Sequence, residues 1–253
     1  MTTVVLLHGI PGSAATWHQV ADLLEPHYEI LAPDLLGFNG QSGASGDELL
    51  APSQARHVLE LLDRAGADRV AVVGHDFGGP VAAHLVAAAP ERVAAFALFA
   101  TNAFPDTPIP FPLSALGVPV LGPIAERLLF SRPSLAMMVR QGAGRPRPTF
   151  DLDHYLGNDH QHAAIRTIFA SSLRRLHELY APVEAALRTV TVPSLVGWGS
   201  RDPFFPVAIG RRTAELIGGK FRLYQDAGHF LPEERPDEVA VDLLKLLRRA
   251  CVR

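Results

Sequence analysis

Cysteine, tryptophan, tyrosine and charge are all scarce in this chain of 253 residues. A single cysteine, Cys251, excludes an internal disulfide and a cysteine-built metal site. It also points to a reducing compartment, so a cytoplasmic location is expected. Charged residues make up only 19% and the net charge is −3 with His neutral. That is neither a basic footprint for phosphate backbones nor an acidic, disorder-like balance, and nucleic acid is not an expected partner. A long apolar run is lacking too. The longest uncharged stretch, Thr107 to Ala125, nears the roughly 20 residues that a bilayer requires, but Pro108, Pro110, Pro112, Pro119 and Pro123 stop a helix there. The stretch reads as an irregular apolar surface, and no membrane span is expected. The run from Met1 to His8 has no basic region and is too short for a signal peptide, so no targeting segment is expected either.

What the chain does have is enough hydrophobic residues, 48%, for one core that buries roughly 75% of the unfolded surface. Short β-branched runs alternate with helical patterns, the mark of a buried parallel sheet built from βαβ units. The expected strands are Thr3–Leu7, Glu29–Ala32, Arg69–Gly74, Val93–Ala100, Val192–Gly197 and Phe221–Gln225. Helices are expected at about Ala14–Leu24, Ala51–Ala65, Phe77–Ala89, Val207–Ile217 and Asp237–Arg249. Between the fourth and fifth strands the rhythm breaks. Nine of the 21 prolines fall between residues 103 and 150, followed by a helix near Gln161–Tyr180 with Ile165, Phe169, Leu173, Leu176 and Tyr180 on one stripe. So long a segment must form a subdomain of its own, and one inserted after a strand's carboxyl end lies where open α/β sheets bind ligands.

The sharpest local signal is Gly74-His75-Asp76-Phe77-Gly78-Gly79 between a strand and a helix. Small-x-nucleophile-x-small is the spacing of a strained turn that lifts one side chain above a sheet; alternatively, Asp76 simply caps the next helix. Ser200-Arg201-Asp202-Pro203 follows the fifth strand and Asp226-Ala227-Gly228-His229-Phe230 the sixth, while His8-Gly9-Ile10-Pro11 follows the first. Asp202 alone could be a turn residue and His229 a satisfied core histidine. Taken together at strand ends, the order nucleophile, acid, histidine is that of a hydrolase triad.

On these motifs the chain resembles the α/β-hydrolase superfamily, in its aspartate-nucleophile branch of epoxide hydrolases and haloalkane dehalogenases. The resemblance implies a core of residues 1–102 and 190–253 with a mainly helical cap at 103–189. The two strands that usually precede the histidine-glycine strand are missing here, so the sheet is expected to be shortened to six parallel strands in order 2-1-3-4-5-6. It further implies Asp76 as nucleophile, His229 as base and Asp202 as its orienting acid, with the Ile10 and Phe77 N–H groups as oxyanion hole. His8, Pro11, His75, Asn102 and Phe230 are expected to bind substrate, and no cofactor or metal is called for.

An aspartate that attacks an acyl carbonyl gives a high-energy mixed anhydride, whereas attack on an sp3 carbon gives an ordinary alkyl ester that water can cleave. Halide-releasing relatives use indole or amide N–H donors, including a tryptophan after the nucleophile. Here that position is Phe77, and the only tryptophans, Trp17 and Trp198, fall in core segments. Epoxide opening needs a proton donor, in this branch cap tyrosines, and Tyr155 and Tyr180 are the candidates. Tyr180 could equally be packing, and Tyr155 falls in a polar stretch expected to be a loop. His154, His160 and His162 with Asp151, Asp153 and Asp159 match no familiar ligand spacing and read as solvated. The expectation is therefore hydrolysis of a small or medium apolar epoxide. A dehalogenase with atypical donors stays open, as does a lyase, cyclase or ligand-binding protein of the same fold. The oligomeric state is not legible.

Overall fold

A computed structural model describes residues 3–41, 43–109, 113, 116, 118, 122–145 and 152–250. Its centre is a six-stranded parallel sheet in the order β2-β1-β3-β4-β5-β6, with β1 Thr3–Leu7, β2 Glu29–Leu31, β3 Val70–His75, β4 Val93–Phe99, β5 Ser194–Gly199 and β6 Lys220–Tyr224. The shortened sheet and its order are those expected. Every residue of β1, β3 and β4 is buried, because helices cover both faces. Val5, Val72 and Phe96 face one core cluster, while Leu6, Val73 and Ala97 face the other. Each fully buried valine, leucine or phenylalanine is worth roughly 1.5–3 kcal/mol, which is why these strands read as continuous apolar runs.

The helices follow in chain order: α1 His18–Leu24, α2 Ala51–Ala65, α3 Gly78–Ala88, α4 Gly122–Leu129, α5 Arg132–Gly142, α6 Asp153–Leu156, α7 Asp159–Arg174, α8 Leu176–Leu187, α9 Val207–Leu216, α10 Leu231–Glu234 and α11 Pro236–Ala250. Helices α4 to α8 form the insertion between β4 and β5. Gln161 of α7 fastens it to the first strand's loop, its Nε2 donating to the Pro11 carbonyl at 2.8 Å.

Three expectations need correction. The single helix expected near Gln161–Tyr180 is two, turning at Arg175, whose backbone (φ −118°, ψ 30°) leaves the helical region. Tyr155 is not on a polar loop: it lies on α6, 1% exposed. The histidine-rich stretch is solvated only in part: Asp153, Asp159 and His160 are exposed, but His162 is not. His162 is buried and its Nε2 meets the Leu156 carbonyl, and the described residues contain no group of acids and histidines able to hold a metal. Pro110, Pro112, Pro119, Asp151 and Cys251 lie outside the described residues. No described helix is long and apolar enough to cross a membrane.

The close approach of α3 to β1 depends on Gly78, where a Cβ would collide with the Leu7 carbonyl. Overpacking at a rigid backbone contact costs about 1–3 kcal/mol. Gly78→Ala is therefore expected to lower stability by about 3 kcal/mol in urea unfolding; an unchanged midpoint would contradict this packing.

Candidate active site

Strand β3 ends at His75, and the chain turns sharply at Asp76, which sits at φ 49°. This left-handed conformation is uncommon for a residue with a Cβ. Two hydrogen bonds hold it: the Asp76 N–H donates to the Phe99 carbonyl at 3.1 Å and the Thr101 hydroxyl to the Asp76 carbonyl at 2.6 Å. The turn projects the carboxylate beyond the sheet at the start of α3, whose positive N-terminal end favours negative charge.

The loop after β1 reaches the same point. The Ile10 N–H donates to Asp76 Oδ1 at 2.7 Å, an approach made possible by Gly9, where any Cβ would strike the Asp76 side chain. The other oxygen, Oδ2, lies 3.5 Å from His229 Nε2. His229 Nδ1 in turn is 3.0 Å from Asp202 Oδ2, and Asp202 Oδ1 accepts the N–H groups of Phe204 and Phe205 at 2.8 and 3.1 Å. The structure thus brings Asp76, His229, Asp202 and Ile10 together, with Phe77 opening the helix behind Asp76.

Charge is confined here. Side-chain exposure is 17% for Asp76, 3% for His229 and 0% for Asp202. Burial works against a charged imidazole, but the Asp202 and Asp76 carboxylates outweigh it and push the His229 pKa up to about 10. Burial also opposes ionisation of Asp76. The facing His229, with His75 and the Ile10 N–H, nonetheless holds its pKa below the ordinary carboxylate value. His75 goes the other way: burial, then the charge of His229, push it down to about 4, so it is neutral and its Nε2–H donates to the His229 carbonyl at 2.8 Å.

A cavity of about 110 Å³ opens onto Asp76 and His229. Its walls are apolar, with Phe77, Phe204, Phe205 and Phe230 from the core and Phe169 and Leu173 from the insertion. The polar lining besides the acid and histidine is Tyr180, Asn102 and Ser172. Burial, and then the nearby Asp76 charge, raise the Tyr180 pKa, while the Asn102 and Ser172 side chains act against them. Asn102 is held by its amide oxygen, which accepts the Thr107 hydroxyl at 2.5 Å and the Phe104 N–H at 3.1 Å. Its NH2 is therefore the end left to the cavity.

Several expected pocket residues stand elsewhere. Tyr155 does not line the cavity: its hydroxyl donates to Glu233, and its ring packs edge-on to Phe230 with centroids 5.2 Å apart. His8 is fully buried and accepts the Leu35 N–H on Nε2 at 3.0 Å, so it braces the loop after β2. Pro11 anchors the insertion through Gln161, and His75 supports the backbone of His229. Phe230 and Asn102 do line the cavity. Neither tryptophan does, since both are fully buried in the core. Sequence reasoning passed over Phe204 and Phe205, although an aromatic pair directly after the Asp202-Pro203 turn was a usable signal. It also passed over Ser172, the polar residue beside the α7 stripe.

The Alpha/beta hydrolase family model matches residues 4–243. The chain is 30% identical to epoxide hydrolase A of Mycobacterium tuberculosis, over 96% of this chain and 89% of that protein. It is 25% identical to haloalkane dehalogenase 2 of Mycobacterium bovis, over 96% and 86%. Among solved structures, the 2-hydroxy-6-oxo-6-phenylhexa-2,4-dienoate hydrolase of Rhodococcus sp. strain RHA1 superposes with a TM-score of 0.82 at 22% identity, covering 98% of this chain and 90% of that one. At that identity the likeness is one of fold.

The charge arrangement has a measurable consequence. The folded pKa of His229 lies above the 6.5 of an unperturbed histidine. Its contribution to stability is accordingly complete below pH 6.5 and lost as the pH rises through about 10. In Asp76→Asn the imidazole keeps only Asp202, and an NMR titration is expected to find its pKa clearly below that of the unsubstituted protein. An equal pKa would mean that Asp76 does not share the imidazole.

Proposed function

The chain belongs to the Alpha/beta hydrolase family, and we propose that it uses Asp76 as a nucleophile on an sp3 carbon, hydrolysing small or medium apolar epoxides to diols. The observation that carries this reading is the pairing, across one apolar cavity, of a carboxylate backed by His229 and Asp202 with a single phenol, Tyr180. The 30% identical relative named an epoxide hydrolase supports it. So does the absence of both tryptophans from the cavity lining, which leaves no indole N–H to receive a halide. Apolar cavities of roughly 150 Å³ take up benzene-sized molecules, a scale that suits a small substrate.

Oδ1 of Asp76 is committed to the Ile10 N–H, so Oδ2 attacks the epoxide carbon. The C–O bond of the ring breaks and its oxygen takes the Tyr180 proton, with the Asn102 NH2 as a neighbouring donor. Alkylation removes the negative charge of Asp76, so His229 loses one of its two counter-charges and its pKa falls. Its proton passes to the tyrosinate, which leaves the imidazole neutral when a base is required. His229 then takes a proton from water, and the hydroxide adds to the Asp76 carbonyl carbon. The oxyanion forms on Oδ1, already bonded to Ile10 and next to the Phe77 amide. Collapse expels the diol oxygen, which takes the His229 proton, and the regenerated Asp76 carboxylic acid gives its own proton to the imidazole, leaving the Asp76 carboxylate beside a charged His229.

His229→Gln blocks the second half of this sequence. Incubated with small alkyl and aryl epoxides, that variant is expected to gain the whole epoxide mass on Asp76, seen by intact-protein mass spectrometry. In the same background, Tyr180→Phe is expected to slow adduct formation by about 10²-fold, within the usual range for a general acid. Adducts from haloalkanes alone, lighter by the hydrogen halide, would make the protein a dehalogenase. A folded variant inert to both panels would contradict a nucleophilic Asp76.

A further inference from the structure

Beside the histidine loop lies a further buried carboxylate that the proposed chemistry does not use. Glu234, at the end of the short helix α10, is 7% exposed, yet no cationic side chain is bonded to its carboxylate among the described residues. It collects backbone N–H groups instead. Oε2 accepts from Gly144 at 2.7 Å and from Gly228 at 2.8 Å, and Oε1 accepts from Phe230 at 2.9 Å. Gly228 and Phe230 flank His229. Gly144 belongs to the insertion, 90 residues away in sequence.

A buried carboxylate is costly unless it is hydrogen-bonded, and this one is bonded to both of two segments far apart in sequence. The same junction carries further bonds. The His229 N–H donates to the Gly142 carbonyl at 2.7 Å and the Arg145 N–H to the Asp226 carbonyl at 2.6 Å. Arg235 Nη2 donates to the Arg145 carbonyl at 3.0 Å. The backbones approach so closely that a Cβ at Gly144 would strike the Asp226 carbonyl.

We propose that Glu234 is a positioning residue for His229: its carboxylate ties the Gly142–Arg145 segment of the insertion to the histidine loop, so that the imidazole and the pocket wall are set as one unit. The consequence for catalysis rests on the function proposed above. Attack by Asp76 does not need the imidazole placed accurately, whereas delivery of water to the ester does, and misplacement of about 1 Å can cost roughly 10²-fold.

Glu234→Gln keeps the shape of the side chain but replaces one acceptor oxygen with a donor. With an epoxide, stopped-flow and quenched mass spectrometry are expected to show alkylation of Asp76 changed by less than about twofold and hydrolysis of the ester slowed by about 10²-fold. Equal slowing of both steps, or of neither, would overturn the positioning role. Two readouts need no substrate, so failure of the epoxide reading would not obscure the answer. The low-field Nδ1–H proton of His229 is expected to shift or broaden in Glu234→Gln by NMR, and an unaltered resonance would overturn the proposal. In the unsubstituted protein, hydrogen exchange at Gly144, Gly228 and Phe230 is expected to occur in one common opening. Fast, independent exchange at Gly144 would also overturn it.

Discussion

Two carboxylates share one imidazole at the carboxyl edge of the sheet. His229 Nδ1 lies 3.0 Å from Asp202 and Nε2 lies 3.5 Å from Asp76, with all three side chains largely withdrawn from water. In such a setting charge interactions are stronger than at a surface, and the net charge of the cluster is negative while both acids are ionised. The surrounding structure answers that one condition. The Ile10 N–H and the start of α3 meet Asp76, the Phe204 and Phe205 N–H groups meet Asp202, and His75 stays neutral beside them. Removing a single charge, as alkylation of Asp76 would, changes the proton affinity of everything else in the cluster.

That condition also explains the division of labour between sheet and insertion. The sheet supplies the charged groups from strand ends, where backbone direction is fixed and side-chain placement is most exact. The insertion supplies mostly apolar wall, with Tyr180 as its one phenol in the cavity and Ser172 beside it. The two halves are joined by polar fastenings: Gln161 to the Pro11 carbonyl on one side and Glu234 to Gly144 on the other. Polar groups at these junctions are buried, so each is costly to leave unpaired, and they fix the geometry of an apolar contact in which Ile165, Ile168, Val183 and Leu187 of the insertion join the same core cluster as Val72 and Val81.

Much of this was legible in the sequence. The strands were, because each is short, β-branched and buried on both faces, and their order follows from the alternation with helices. Strand β5 begins at Ser194 rather than Val192, because Pro193 lacks the N–H needed to extend the ladder. Asp76, Asp202 and His229 were legible because each follows its own strand, with glycine or proline within two residues. The insertion was much less so. Proline-rich sequence gave no sign of α4 and α5, yet α5 carries Pro133 in its first turn, where a backbone N–H has no partner within the helix to lose. Tyr155 was misplaced because its polar neighbours suggested solvent. In the fold Asp153, Asn158 and Asp159 do face outward, but Tyr155 is turned inward and its phenol is drawn to Glu233, 78 residues away in sequence. Long-range polar pairings of this kind leave no periodic trace along a chain.

The central claim is that an oxygen of Asp76 enters the product. A single turnover with excess enzyme and an apolar epoxide in 18O-labelled water tests it most directly. The diol is expected to leave with an unlabelled oxygen taken from Asp76, while the peptide containing Asp76 gains one 18O. Label in the diol, with Asp76 unlabelled, would mean that water attacks the substrate directly and that Asp76 is no nucleophile.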